Sequence, residues 1–97
     1  MSTSTTTVPS VEEVESYNTD ALIAYLQNQR ILNLNEQHIN ALRENEVAGY
    51  DFLSCKQDDL ERYGLKPGPA KRISDFAIQL KSQSKFYKIV YLYELYS

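Results

Sequence analysis

Across residues 17–83 the apolar positions recur three and four apart, and no alternating apolar–polar run competes with them. That period predicts an all-α fold with short connections, and five helices fit it. The first carries Leu22, Ile23, Tyr25 and Leu26 behind Thr19, whose hydroxyl can accept an orphan backbone N–H, with Asp20 in the first turn where the helix dipole favours a negative charge. Ile31, Leu32 and Leu34 are too apolar for a free loop, so this connection is expected to fold onto the core before Asn35 caps a second helix over residues 36–44, with Ile39 and Leu42 inward. Gly49 follows as a residue able to take a backbone conformation that others resist, ahead of a single turn over residues 50–54 anchored by Phe52 and Leu53. A fourth helix has Asp58 and Asp59 in its first turn, Leu60 and Tyr63 inward, and Gly64 as its C-terminal cap before Leu65 packs. Lys66-Pro67-Gly68-Pro69 then reads as a stop and a restart, with Pro69 in the first turn of a fifth helix. Ile73, Phe76, Ala77 and Leu80 make that helix the longest and most regular, so the expected architecture is a small five-helix bundle with a long C-terminal helix.

The two ends of the chain break this pattern. Residues 1–16 open with a polar, β-branched stretch that ends at Pro9, without the basic start or apolar run of a secretory signal, and are expected to be a disordered N-terminal lead. Residues 84–97 pack aromatic and β-branched side chains with little charge. Three readings compete for this tail: continuation of the fifth helix with Phe86, Val90 and Tyr93 on one side, a strand awaiting a partner, or the stub of a truncated coding sequence. Helix continuation is favoured; left exposed, such a segment is an aggregation hazard.

Length and chemistry narrow the function. With 97 residues the chain has room for one core, and its single cysteine, Cys55, and single histidine, His38, can build neither a disulfide nor a zinc site. His38 lies on or beside the inner face of the second helix, where a histidine is a core or boundary residue rather than a catalyst, and Cys55 reads as a buried thiol. No nucleophile-and-base constellation and no glycine-rich phosphate loop is present, so neither an enzyme nor a cofactor is expected. No run reaches the roughly 18 apolar residues of a membrane helix, which implies a soluble protein of the cytoplasm or nucleus.

The charges are segregated along the chain. The net charge of −3 argues against a uniformly basic nucleic-acid binder. Residues 35–61 hold two basic residues against seven acidic ones, a balance of −5, whereas residues 62–88 hold seven basic residues against Asp75, a balance of +6. A module with faces of opposite sign can bind a copy of itself head to tail, since complementary potentials steer encounter and penalise wrong orientations.

The ordered series Tyr25-Leu26, Asn45-x-Val47-x-Gly49, Phe52-Leu53, Asp58-Asp59-Leu60, Gly64-Leu65 and Gly68-Pro69-Ala70-Lys71-Arg72-Ile73 resembles the sterile alpha motif, or SAM, family over residues 17–83. Tyr17 stands where that family often has tryptophan, Leu42 where phenylalanine is common, and Ala48 where aspartate is frequent. The resemblance implies a five-helix interaction module in which an acidic mid-domain surface docks on the start of helix five of another SAM domain, in self- or hetero-association. Carried onto this chain, the acidic face would use Glu44, Glu46, Asp51, Asp58 and Asp59, and the other face Lys66, Lys71 and Arg72, with Gly68 and Ala70 allowing close backbone approach and the exposed N–H groups of the helix start favouring an acidic partner. The resemblance also offers an alternative, since some SAM domains hold an RNA stem-loop at the end of helix one and the start of helix five; here those places supply Arg30, Lys66, Lys71 and Arg72 beside an acidic face that repels phosphate. A small adaptor, a cap on longer polymers and a fragment of a larger signalling protein all accommodate such a module.

Overall fold

The computed structural model describes residues 9–96, and the side chains of residues 9–83. In chain order it contains α1 (Val11–Glu15), α2 (Thr19–Gln27), a 3-10 turn (Arg30–Leu32), α3 (Glu36–Glu44), α4 (Gly49–Ser54), α5 (Gln57–Arg62) and α6 (Pro67–Tyr96), and no strand occurs among the described residues. Helices α2 to α6 are the expected bundle. The helix α1 is an addition, inside the stretch expected as a disordered lead; residues 1–8 of that stretch lie outside the described residues. Its cause is local and then tertiary: the Ser10 hydroxyl accepts the Glu13 N–H at 3.0 Å, and Val14 is fully buried in the core.

The core joins Leu22 and Leu26 of α2, Leu42 of α3, Phe52 of α4, Leu60 of α5 and Ile73 of α6, all fully or almost fully buried. A row of rings crosses it, Tyr17 to Tyr25 at 5.8 Å between centroids, Tyr25 to Phe76 at 6.0 Å and Phe76 to Phe52 at 6.2 Å. Of the three apolar residues in the first connection, Leu32 is buried and Leu34 half-buried, but Ile31 remains 77 % exposed, because a 3-10 turn of three residues turns only part of itself inward.

Local caps differ from the expected ones in instructive ways. Asn18, not Thr19, caps α2, its side chain accepting the Ala21 N–H at 2.8 Å. Gly49 is helical rather than left-handed, and it is glycine for another reason: a Cβ there would collide with the carbonyl oxygen of Val14. Its N–H donates to the Tyr17 carbonyl at 2.9 Å, so α4 and α1 meet backbone to backbone. Gly64 does take positive φ, at 111°, and ends α5 in a Schellman motif: its N–H bonds the Glu61 carbonyl and the Leu65 N–H the Leu60 carbonyl. Helix α3 ends identically, through Glu46 to Arg43 and Val47 to Leu42, but there the left-handed residue is Glu46, with φ of 52°.

Helix α6 begins at Pro67, two residues before the expected Pro69, and both prolines fall in the first turn, where the missing N–H groups have no helical partner to lose. Ala70, Ile73, Ala77 and Leu80 are its buried stripe. The helix has 30 residues and so, at 1.5 Å each, runs about 45 Å through the aromatic-rich C-terminal segment, whose side chains, Phe86, Val90 and Tyr93 included, lie outside the described ones. No helix among the described residues is long and apolar enough to cross a membrane.

Candidate functional site

The acidic residues singled out in the sequence sort into two groups. Asp51 and Asp59 sit at the third positions of α4 and α5 and reach back to the helix starts: Asp51 Oδ2 accepts the Ala48 N–H at 3.0 Å and Asp59 Oδ2 the Lys56 N–H at 3.0 Å. Neither Ala48 nor Lys56 supplies a side-chain cap, so these carboxylates are what satisfies the helix starts, and Asp59 is also paired with Arg62. Glu44, Glu46 and Asp58 are exposed and carry no hydrogen bond or ion pair from their side chains among the described residues. Tyr50, 65 % exposed in the first turn of α4, is the large apolar side chain of this acidic surface.

The basic side sorts likewise. Lys66 is exposed and unpaired among the described residues, and Lys71 is exposed but bonded to Asp75 at 2.9 Å, one helical turn along. Arg72 is half-buried, its Nε donating to the Leu32 carbonyl at 2.9 Å, so it fastens α6 to the 3-10 turn. Ala70 is fully buried and is core, because it begins the inward stripe of α6. Gly68 is exposed, and a Cβ there would meet only the Arg72 guanidinium at 3.5 Å, an ordinary contact, so nothing within the chain requires glycine. Of the backbone N–H groups at the helix start, those of positions 67 and 69 do not exist, and that of Ala70 bonds the Lys66 carbonyl. The set Arg30, Lys66, Lys71 and Arg72 is thereby reduced as a phosphate cluster, with Lys71 balanced by Asp75 and Arg72 engaged internally.

Sequence reasoning missed a groove of about 190 Å³ between the 3-10 turn and α6. Ile31, Leu32 and Phe76 are its apolar lining, and Arg72, Asp75 and Gln79 its polar lining. The spacing of residues 72, 75, 76 and 79 already puts them on one helical face. What the linear sequence did not carry is the approach of Ile31 and Leu32 from 40 residues away, which the Arg72 bond fixes.

His38 and Cys55 are engaged within the fold. His38 is the third residue of α3 and completes a capping box: its N–H donates to Asn35 Oδ1 at 3.0 Å, and its Nδ1 accepts the Asn35 N–H at 3.1 Å. Partial burial, and next the Arg72 charge, lower its pKa from 6.5. The Cys55 thiol is pushed up, by burial first and then by the Asp59 and Asp51 charges, against a hydrogen bond with Tyr63 that favours the thiolate. Among the described residues no cluster of histidine, cysteine and carboxylate side chains has the makings of a metal site.

A family model for a SAM-like domain matches residues 1–79. No curated protein and no solved structure matches the chain.

Proposed function

Because the chain belongs to the SAM-like domain family, whose members are generally non-catalytic protein-interaction modules, we propose that it associates with another such domain, in the first instance a second copy of itself, through its two oppositely charged faces. The observation that carries this reading is a pair of exposed charge sets: Glu44, Glu46 and Asp58, without partners among the described residues, on one side, and at the start of α6 the unpaired Lys66 with Lys71, whose partner is the exposed Asp75, on the other. Lys71 can exchange its Asp75 partner cheaply, since an exposed i,i+4 pair contributes only about 0.3–0.5 kcal/mol. Asp51, Asp59, Arg72 and Ala70 support these faces from within and are not contact residues in this reading.

A contact between two different faces is heterologous, so each added copy leaves one face of each kind free and the assembly can extend. The charges steer the encounter and set its orientation. Sedimentation velocity over a concentration series tests this on the whole chain. The expected result is a weight-average mass that rises with concentration, falls as salt is raised, and stays monomeric in the Lys66→Glu, Lys71→Glu variant. A wild-type chain that is monomeric at every concentration in low salt contradicts self-association and directs the search to a different partner.

A further inference from the structure

Resting on that reading of the two faces, we propose that the contact has an aromatic anchor: Tyr50 of one copy inserts into the groove between the 3-10 turn and α6 of the next. Charges at a rim set rate and orientation, but affinity in most interfaces comes from a few well-packed aromatic or arginine side chains in desolvated pockets. Tyr50 fits that description on the acidic side. It stands two residues from Phe52, so the helical rotation of about 200° that separates them places Tyr50 away from the core that holds Phe52 against Phe76. Its ring is therefore presented to solvent in the acidic stretch of the chain, next to Asp51, rather than spent on the fold.

The groove is of matching size and chemistry. At about 190 Å³ it is below the ~300–1,000 Å³ of small-molecule sites, which suits one side chain rather than a metabolite. Ile31, Leu32 and Phe76 offer apolar contact to a ring, while Asp75, Gln79 and Arg72 are the polar lining that can supply the partners a phenol hydroxyl needs. Ile31, at 77 % exposure, is a large apolar residue that its own fold leaves uncovered. Charge complementarity selects the occupant: Arg72 lines the groove, Arg30 and Lys71 are the chain neighbours of its lining residues Ile31 and Arg72, and its lining carboxylate, Asp75, is paired with Lys71, whereas Tyr50 comes from the acidic stretch of residues 35–61, next to Asp51. An exposed tyrosine beside Asp51, unused by the core, is thus paired with an apolar slot that has Arg72 in its lining and Arg30 and Lys71 next to it in the chain.

Dissociation constants from sedimentation equilibrium, for the full-length wild type and single variants, test the anchor. Tyr50 and Gln79 are both exposed, so their substitution leaves the fold intact, which thermal melting verifies. Tyr50→Ala is expected to weaken association about 30-fold, the effect of losing an aromatic hot spot. Tyr50→Phe, which keeps the ring and loses the hydroxyl, is expected to weaken it about fivefold. Gln79→Trp, which fills the groove from its own side, is expected to weaken it as Tyr50→Ala does. If Tyr50→Ala associates as tightly as wild type while Lys66→Glu, Lys71→Glu is monomeric, the charged-face reading stands and the anchor is overturned. If the wild type itself does not associate, both fall together.

Discussion

The acidic and basic faces look like mirror images in the sequence, yet they are built differently. On the acidic side, structural and free carboxylates alternate: Asp51 and Asp59 each hold a helix start, while Glu44, Glu46 and Asp58 point to solvent with no partner among the described residues. On the basic side, the helix that carries the charges also carries the core stripe, so Ala70 is buried and Arg72 is drawn back to the Leu32 carbonyl, leaving Lys66 and Lys71 outward. The difference teaches that a charge in the right place is an interface candidate only after the backbone's own hydrogen-bond needs have been met.

The sharpest way to break the comparison is to dislodge α4, which lies in the chain between Glu46 and Asp58 of the acidic face. Gly49→Ala drives a Cβ into the Val14 carbonyl, which cannot swing aside as a side chain would, and is expected to cost about 3 kcal/mol, measured as a fall in the urea midpoint. Arg72→Ala, which removes the bond to Leu32 along with the packing of the arginine stem, is expected to cost about 2 kcal/mol, whereas Lys66→Ala is expected to leave stability within about 0.5 kcal/mol. Equal effects from those two would erase the distinction between structural and outward cations.

A smaller change runs the other way. Glu46 and Gly64 occupy the same position in identical helix endings, but only Gly64 adopts positive φ without a Cβ penalty. Glu46→Gly is expected to raise stability by about 1 kcal/mol, seen as a higher Tm, and at the same time to weaken association by removing a charge from the acidic face. A gain in stability without a loss in association would remove Glu46 from the contact.

The smallest effect is a pH dependence. The His38 pKa is lowered on folding, so the unfolded chain binds the additional proton and stability falls as pH drops through and below 6.5, then levels once the folded form is also protonated. Burial and then the Arg72 charge disfavour the imidazolium, and the capping bond acts in the same direction, since Nδ1 accepts the Asn35 N–H only while unprotonated. His38→Gln keeps a side chain suited to the capping box and is expected to flatten Tm between pH 7 and 5 relative to wild type.

Much of the fold was legible because helical periodicity and caps are local. The stripe Ile73, Ala77 and Leu80, the Asn35 cap of α3 and the left-handed Gly64 all follow from residues within a few positions of each other. What escaped was non-local. The need for Gly49 comes from Val14, the docking of α1 from the core it enters, and the groove from a 3-10 turn that meets α6 only in three dimensions. The same holds for the site: the sign of each face was readable, but which of its charges are already engaged depended on bonds such as Arg72 to Leu32 that span 40 residues.

The central claim is that two different faces of one molecule recognise each other, and mixing two chains that each lack one face tests it most directly. The first variant carries Glu44→Gln, Glu46→Gln and Asp58→Asn, which removes its acidic face and keeps its basic one; the second carries Lys66→Glu and Lys71→Glu and keeps its acidic face. Sedimentation velocity should find each variant monomeric alone and a 1:1 dimer, with no larger species, when they are mixed, because one intact pair of faces then remains. Variants that polymerise as wild type does, or a mixture that stays monomeric while wild type associates, would contradict the account.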